Sequence, residues 1–413
     1  MHESSASGVN DQIFSRHNDS VLCCSINDLT RVAVSGGIDD TAFVWDLNTK
    51  HVIFECIGHK ESVVAAAFSL NSTYVATGDL NGYIQVRNTT TGIKIFDFDI
   101  DEINWILWHN TSEFVLLAGT KTGDFWMWNV NDPAAMKTFP SFGAPTTAAK
   151  LLSDGMAIVT AYADGSLRVF DLKTKKVISN LTDQDRAEII SLDLNPNKAL
   201  IAVGCVDSSV KLITLNTFKT IRTLHCKSPR NVAENSSCIE AEERADMELS
   251  DGNVPDKPAV GESEQDQQDT EPLEVIDEYT GCDGQTEGDV DLSESDDEEV
   301  SVTDSVESVL FSRCGTYLAA ANNSGSIIFW DVSSLALRCE IHTGIGITRC
   351  AWSDDGNYIT GCLDGVVRIY DTNLNTLNEI SLHTDQILDL AYRKGVLVTA
   401  SEDKTCRAIA LVN

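Results

Sequence analysis

One short phrase recurs along the chain at an almost constant spacing. Its sharpest copy is VSGGIDDTAFVWD at 34–46, and weaker copies include VATGDLNGYIQVRN at 75–88 and YITGCLDGVVRIYD at 358–371. The aligned tryptophan position falls at Trp45, Arg87, Trp128, Phe170, Ile213, Trp330, Tyr370 and Ile409. Apart from one long step, these positions lie 39–43 residues apart, and a period of about 40–45 residues is typical of four-stranded propeller blades. Because apolar residues alternate or run in short blocks between Gly and Asp turns, the copies predict an all-β, eight-bladed propeller.

The long step, between blades five and six, contains a highly acidic insertion. Residues 227–305 hold 26 acidic and 4 basic side chains, which is −22 of the chain's net charge of −33. Such a segment buries too little apolar surface to offset the entropy of ordering it, so we predict that it is disordered. The predicted organisation is a flexible N-terminus at 1–10, blades one to five at 11–226, the insertion at 227–305 and blades six to eight at 306–413.

Closure of the ring requires a strand from the N-terminus. Ile409 is followed by only four residues, too few for the fourth strand of blade eight. DQIFSR at 11–16 precedes His17 where the outer-strand sequence HVIFECIG precedes His59. We therefore expect residues 11–16 to be the outer strand of blade eight, which removes the open sheet edges.

Blade one and the loop that precedes it also contain a tetrad of hydrogen-bonding residue types. In WD-repeat blades a loop His, an inner-strand Ser, a turn Asp and a Trp indole N–H are linked at the positions of His17, Ser35, Asp39 and Trp45. A His, an Asp and a Ser could also form a hydrolytic triad, but here the His recurs in several blades. We interpret the tetrad as structural, because the fold by itself indicates no catalysis.

Blades two and eight carry altered versions of this set. Blade two has His59, Thr77, Asn81 and Arg87, and blade eight has His383, Thr399, Asp403 and Ile409. We expect their hydrogen-bond networks to be partial or differently arranged.

No other motif indicates catalysis or a cofactor. The chain lacks a Gly-rich phosphate loop, a Gly-x-Ser-x-Gly elbow and a His-Glu-x-x-His motif. Its 12 cysteines are scattered without the spacing of zinc ligands, which favours a reducing compartment. No segment resembles a signal peptide or reaches the roughly 20 apolar residues that span a bilayer. The sequence predicts a cytoplasmic protein that is not an enzyme, with no catalytic residue, no cofactor, no metal site and no membrane insertion.

Several of these phrases carry a family resemblance. GGIDDTAFVWDL, LLAGTKTGDFWMW, SVESVLFS and CLDGVVRIYD resemble blades of the angio-associated migratory cell protein family of WD-repeat proteins. The resemblance runs from His17 to the C-terminus, without most of the insertion, and implies an eight-bladed scaffold in the cytoplasm, with the nucleus as a second location. It also points to a distant fungal relative that is a chaperone for a newly made basic ribosomal protein of the large subunit. Family members carry a long acidic N-terminal extension, whereas this chain has its acidic segment between two blades.

The propeller itself adds acidic residues where outer strands turn into the next inner strands. FDFDIDEIN at 96–104 and TDQDRAE at 182–188 supply Asp97, Asp99, Asp101, Glu102, Asp183, Asp185 and Glu188. Such turns share one rim of a propeller, and a rim of carboxylates attracts a cationic partner. For any single Asp a solvated turn residue is the simpler explanation. As a set, they predict an acidic rim that binds a basic protein.

Two classes of function fit this charge. The first is a non-catalytic chaperone or escort that shields a basic segment of a newly made ribosomal protein, and the alternative is a signalling scaffold in cell migration. Direct binding of nucleic acid is disfavoured because it needs Lys/Arg surfaces. Ser293 and Ser295, which precede acidic residues in LSESDDEEV, are candidate phosphorylation sites that would deepen the charge. We predict a monomer.

Overall fold

The computed structural model describes residues 12–27, 29, 31–182, 186–226 and 304–411. The chain divides into two units, Met1–Val232 with Thr303–Asn413 and Ala233–Val302. Every described residue belongs to the first unit. The predicted flexible N-terminus at 1–10 and residues 227–303 of the predicted insertion lie outside the described residues.

Strands of three to eight residues form eight four-stranded antiparallel sheets in the described residues, which confirms the predicted eight-bladed all-β propeller. Blade one consists of β2 (Val21–Ile26), β3 (Val32–Gly37), β4 (Ala42–Asp46) and β5 (Val52–Glu55). Blade two consists of β6 (Val63–Phe68), β7 (Tyr74–Asp79), β8 (Tyr83–Asn88) and β9 (Lys94–Asp99). Blade three consists of β10 (Ile103–Trp108), β11 (Val115–Thr120), β12 (Phe125–Asn129) and β13 (Asp132–Phe139). Blade four consists of β14 (Thr146–Leu151), β15 (Ala157–Tyr162), β16 (Ser166–Asp171) and β17 (Val177–Thr182).

The second half of the ring repeats this pattern. Blade five consists of β18 (Ile189–Leu194), β19 (Leu200–Cys205), β20 (Ser209–Thr214) and β21 (Lys219–His225). Blade six consists of β22 (Ser308–Phe311), β23 (Tyr317–Ala321), β24 (Ser326–Asp331) and β25 (Leu337–His342). Blade seven consists of β26 (Ile347–Trp352), β27 (Tyr358–Cys362), β28 (Val366–Tyr370) and β29 (Thr376–Ser381). Blade eight takes β30 (Ile387–Arg393), β31 (Val396–Ser401) and β32 (Cys406–Ala410) from the C-terminus. The described residues contain no helix long and apolar enough to cross a membrane.

The fourth strand of blade eight comes from the other end of the chain. β1 (Gln12–Phe14) pairs antiparallel with β32, with Gln12 opposite Ala408 and Phe14 opposite Cys406. This is the position that the sequence assigns to residues 11–16. Because β1 covers the outer edge of β32, backbone pairing between the two ends of the chain closes the ring.

The core is divided among the interfaces between neighbouring blades. The described residues form eight apolar clusters, one for each pair of adjacent blades. Second strands supply much of this core, since all six residues of β3 and of β15 are buried. Outer strands are less buried, and every residue of β17 is exposed or half-buried. Each blade is therefore stabilised by two neighbours, as in other repeat architectures.

One face of the ring carries the loops that join successive blades. In each blade a backbone N–H of the turn between the second and third strands donates to a carbonyl of the loop that enters the blade. Lys121 N donates to Glu102 O at 2.8 Å, and Val206 N donates to Glu188 O at 3.0 Å. We call this side the connecting face. The other side, with the turns between first and second and between third and fourth strands, is called the turn face.

Candidate functional site

A buried histidine links three elements of blade one on the connecting face. His17 Nε2 lies 2.9 Å from Ser35 Oγ on β3, and His17 Nδ1 lies 3.0 Å from Asp39 Oδ1 in the following turn. Asp39 also accepts hydrogen bonds from the Asn18 N–H at 2.8 Å and from the Thr41 hydroxyl at 2.7 Å. Both His17 and Ser35 are buried. The imidazole of His17 therefore links the entering loop to blade one, and neither of its nitrogens is free to contact a substrate.

Blades two and eight contain the same three-residue link. His59 lies 2.9 Å from Thr77 Oγ1 and 3.2 Å from Asp79 Oδ2. His383 makes the equivalent contacts in blade eight, at 2.7 Å to Thr399 Oγ1 and at 2.9 Å to Asp403 Oδ2. The network in blade two is therefore differently arranged, with Asp79 as its carboxylate, which is one of the two outcomes expected from the sequence.

In blade two the side chain that contacts His59 Nδ1 is the carboxylate of Asp79, whereas the repeat spacing predicted Asn81 at this position. The reason lies in blade one, where Gly37 occupies the position equivalent to Asp79. A Cβ added to Gly37 would lie 3.0 Å from His17 Nδ1. A side chain at this position therefore points at the histidine, and a carboxylate reaches it equally well from here or from the turn position of Asp39.

The tryptophan does not complete the predicted tetrad. Trp45 is fully buried, but its indole Nε1 has no hydrogen-bond partner among the described residues. The ring instead stacks on Phe14 of β1, with 4.7 Å between centroids and 7° between planes. The role of Trp45 is to hold the closing strand through packing, and the hydrogen-bonded set has three members.

Acid should weaken the fold through these carboxylates. Partial burial alone would raise the pKa of Asp39, but hydrogen bonds from His17 and its neighbours lower the pKa from 3.8 to about 2. A carboxyl with a depressed folded-state pKa stabilises the fold above about pH 4 and loses this contribution as the pH falls toward about 2. We expect the denaturation midpoint to fall across this window, and to fall less in Asp39→Asn than in the variant of its exposed neighbour, Asp40→Asn. Equal pH dependence in both variants would contradict the assignment.

Removing the histidine should also destabilise blade one. We expect His17→Ala to lower the free energy of unfolding by about 1–3 kcal/mol, because the buried Ser35 hydroxyl loses its partner and the Asp39 carboxylate loses one of its hydrogen bonds. The exposed His51, on the turn face, provides the control variant His51→Ala. Urea denaturation of the two variants measures the difference, and equal midpoints would show that the link is not stabilising.

The structure separates the acidic residues predicted to form a rim. Asp101 and Glu102 lie in the loop that enters blade three and are exposed, with Glu102 Oε2 2.6 Å from Lys121 Nζ. Asp97 lies within β9, where it accepts a hydrogen bond from the Tyr83 hydroxyl at 2.6 Å and pairs with Lys94. Asp97 is therefore partly neutralised on the outer strand and does not belong to the loop.

The remaining rim residues have different positions. Asp99 is the exposed last residue of β9 and leads directly into the loop. Glu188, half-exposed, lies in the loop entering blade five, two blades from Asp101. Asp183 and Asp185 lie outside the described residues, as do the candidate phosphorylation sites Ser293 and Ser295. The described residues bring Asp99, Asp101 and Glu102 together, and Glu188 stands apart.

Other turns on the connecting face contribute acidic residues that the sequence analysis did not single out. In addition to Asp99, Asp101 and Glu102, the exposed acidic side chains on this face are Asp40, Glu61, Asp207, Asp364 and Asp385. Exposed basic side chains are Arg16, Lys60, Lys121, Arg186 and Lys404. Lys404 pairs with Asp19 at 3.6 Å, Lys121 pairs with Glu102, and Asp364 pairs with Arg368 at 2.6 Å. Among these exposed side chains, six carboxylates and three cations therefore form no ion pair within the described residues, and the unpaired charge is mainly negative. The spacing of the repeats alone could have located these turns.

The acidic insertion is attached at the same face. Cys226, the last described residue before it, donates its N–H to Ser208 O at 2.8 Å. Asp304, the first described residue at its other end, accepts at its carbonyl from the Ser208 hydroxyl at 2.8 Å and at its carboxylate from Ser324 N at 3.1 Å. Both ends of the insertion are therefore fixed to turns of the connecting face.

Comparison with known proteins identifies the family. The model of the WD domain, G-beta repeat, matches residues 8–46, 50–88, 299–331 and 334–371, and the Anaphase-promoting complex subunit 4 WD40 domain model matches 152–243. Angio-associated migratory cell protein of Homo sapiens is 30% identical over 405 residues, covering 96% of this chain and 79% of the human protein. The chain belongs to the angio-associated migratory cell protein family. The Canis lupus familiaris protein of this family is 31% identical with the same coverage, and the resemblance noted in the sequence is confirmed.

Solved structures of other proteins share the fold of the present chain. Saccharomyces cerevisiae Sqt1 has a TM-score of 0.72 and 16% identity, covering 97% of this chain and 98% of that chain. Chaetomium thermophilum Sqt1, solved bound to the N-terminus of the ribosomal protein L10, has a TM-score of 0.71 and 19% identity, covering 96% and 98%. In the described part of the chain no group of three or more His, Cys, Asp or Glu side chains could hold a metal ion.

Proposed function

We propose that this chain is a non-catalytic escort that binds a basic segment of a newly made ribosomal protein on its connecting face. The observation that carries the proposal is the attachment of the acidic insertion, through Cys226 and Asp304, beside the exposed carboxylates of that face. The exposed carboxylates of the propeller would attract this segment, and residues 227–303, which join these two points, add further negative charge to the chain. Like charges in one place focus an electrostatic field and raise the association rate of a cationic partner.

Charge alone is a weak source of affinity. Exposed ion pairs contribute about 0–1 kcal/mol each, so apolar contacts must add to many such pairs. The connecting face offers exposed apolar side chains at Ile38, Ile57 and Phe142, which are 43%, 70% and 44% exposed. A basic segment with interspersed apolar residues therefore fits this face better than a uniformly cationic one.

The choice of a ribosomal partner draws support from a structural neighbour. The Chaetomium thermophilum Sqt1 structure contains the N-terminus of ribosomal protein L10. We extend this partner class to the present chain, and we propose that the protein works in the cytoplasm, where ribosomal proteins are made. Phosphorylation of Ser293 and Ser295 would add negative charge to the insertion and strengthen capture.

Capture from lysate at two ionic strengths tests this role against the alternative, a signalling scaffold in cell migration. We expect basic ribosomal proteins to be enriched at low salt and to be lost at high salt, because screening removes exposed charge interactions. Mass spectrometry compares the proteins retained by the wild type and by Asp101→Lys/Glu102→Lys. Retention of signalling proteins at both ionic strengths, unchanged by the substitutions, would favour the scaffold and contradict the escort.

A further inference from the structure

A row of aromatic rings lies between the outer parts of blades two and three. Phe98 on β9 stacks on Trp128 of β12, with 3.8 Å between centroids and 19° between planes. Trp126 of the same strand lies beside Trp128, with 6.0 Å between centroids and 10° between planes. Trp128 is buried, whereas Trp126 is half-buried and has no second aromatic neighbour among the described residues. Because β12 begins directly after a turn of the connecting face, Trp126 ends the row close to that face.

Two carboxylates lie beside this tryptophan. Asp124, in the turn before β12, accepts the Trp126 indole N–H at Oδ2, at 3.1 Å. The other oxygen of Asp124 accepts the Thr122 hydroxyl at 2.9 Å, and the same hydroxyl lies 3.4 Å from Asp101 Oδ2 in the loop that enters blade three. In the described part of the chain neither Asp101 nor Asp124 forms an ion pair. The half-buried indole ring therefore borders negative charge that the protein itself does not neutralise.

Blades four and seven carry an arginine where blade three has this tryptophan. Two residues before the aligned tryptophan position, they have Arg168 and Arg368. Arg368 forms an ion pair with Asp364 of its own turn, at 2.6 Å between Nη2 and Oδ2. Arg168 lies between two aromatic rings, with its Cζ 4.2 Å from the Phe142 centroid and 4.3 Å from the Tyr162 centroid. Aromatic faces and turn carboxylates thus stabilise a guanidinium at this position, and blade three supplies a ring and carboxylates but no cation.

We propose that the junction of blades two and three binds one arginine side chain of the captured basic segment, with the guanidinium on the Trp126 ring and its charge beside Asp101 and Asp124. The inference rests on the proposed escort function and adds a preference to it. Exposed carboxylates attract lysine and arginine alike, whereas the planar guanidinium also stacks on an aromatic ring. The bound segment is therefore selected for arginine as well as for positive charge.

An exposed threonine opposite Trp126 allows the site to be blocked without a change in the core. Thr138 on β13 is exposed and is the Cα partner of Trp126, and residues paired in this way share one face of a sheet. Thr138→Arg places one of the protein's own guanidinium groups beside the ring. Blade five offers the matched control, because the exposed Thr223 on β21 is the Cα partner of Lys211, which holds the equivalent position. Thr223→Arg makes the same change in charge away from the proposed site.

Fluorescence anisotropy of the full chain with two labelled dodecapeptides tests the proposal. One peptide alternates Arg with Ala and the other alternates Lys with Ala, so their charges are equal. We expect the wild type to bind the arginine peptide about tenfold more tightly at low ionic strength. Thr138→Arg and Trp126→Leu should remove this preference, whereas Thr223→Arg should leave it unchanged. Trp126→Phe should keep most of the preference, because it keeps an aromatic ring.

Two results would overturn the arginine site and leave the escort role intact. One is equal binding of both peptides to the wild type, with both weakened by Asp101→Lys/Glu102→Lys. The other is an arginine preference that Thr138→Arg leaves unchanged or that Thr223→Arg removes equally. If the wild type bound neither peptide, the escort role and the arginine site would both be wrong. Because Thr138 is exposed, its variant gives the answer even if Trp126→Leu lowers the thermal midpoint.

Discussion

Replacing Phe14 with alanine should lower the free energy of unfolding by about 3–5 kcal/mol, because its ring fills the junction that closes the propeller. Phe14 is 1% exposed and contacts Trp45 face to face and Phe43 edge to face, with 5.8 Å between the Phe14 and Phe43 centroids. Ile13, the preceding residue on the same strand, is 39% exposed. Ile13→Ala therefore serves as the control and should change the free energy much less. Urea denaturation of both variants makes the comparison.

Deleting residues 1–16 extends the same test to the whole closing strand. The outer edge of β32 then loses its partner, and the buried residues Cys406 and Ala408 lose the cover of β1. Hydrogen exchange should show loss of protection over 383–411, while blades three to five keep theirs. Unchanged protection in blade eight, or equal stability of Phe14→Ala and Ile13→Ala, would contradict closure through β1.

Replacing Trp45 with alanine should cost a similar amount, about 3–5 kcal/mol, through the cavity it leaves. Trp45→Phe distinguishes packing from hydrogen bonding, because the indole N–H has no partner among the described residues. We expect the phenylalanine to retain the stack on Phe14 and to recover most of the loss. Thermal and urea midpoints of the two variants give the result. If Trp45→Phe were as damaging as Trp45→Ala, the indole N–H would have a role that the described contacts do not contain.

The blades could be predicted from the sequence because each unit repeats one arrangement. A strand such as β3, VAVSGG, is buried on both sides in every copy, so its apolar character recurs at a fixed distance from the next turn. The pairing of β1 with β32 followed from the count of strands, since the last blade lacked one. The period of the sequence and the requirement for four strands in every blade therefore predict the architecture without any knowledge of side-chain contacts.

The hydrogen-bond partners could not be read from spacing alone. Asp79 and Asn81 are two residues apart in one turn, and only the direction of the side chain at the Gly37-equivalent position shows which of them meets His59. The tetrad known from WD-repeat blades likewise led to the prediction of an indole hydrogen bond for Trp45, which packing against Phe14 replaces.

Composition also limits what could be predicted at the insertion. Asp304 resembles the acidic residues before it, so charge counting assigned it to the insertion. In the structure Asp304 is 9% exposed, and it accepts hydrogen bonds from Ser208 in a turn of blade five and from Ser324 in a turn of blade six. Asp304 is held in this position because it accepts hydrogen bonds from the Ser208 hydroxyl and the Ser324 N–H. The composition of the segment does not reveal these contacts.

The most direct test of the escort role is the binding of a labelled peptide from the N-terminus of ribosomal protein L10 of the same organism. The variants are a triple on the connecting face, Asp99→Lys/Asp101→Lys/Glu102→Lys, and a matched control, Asp132→Lys/Asp154→Lys/Glu340→Lys. All six residues are exposed, and the charge change is equal.

Stopped-flow kinetics over a series of ionic strengths should show that the connecting-face triple slows association strongly at low salt and little at high salt. The control should behave as the wild type, because its substitutions lie away from the proposed contact and screening limits their range. If the peptide bound all three proteins alike at every ionic strength, the connecting face would not be the site that captures a basic ribosomal segment.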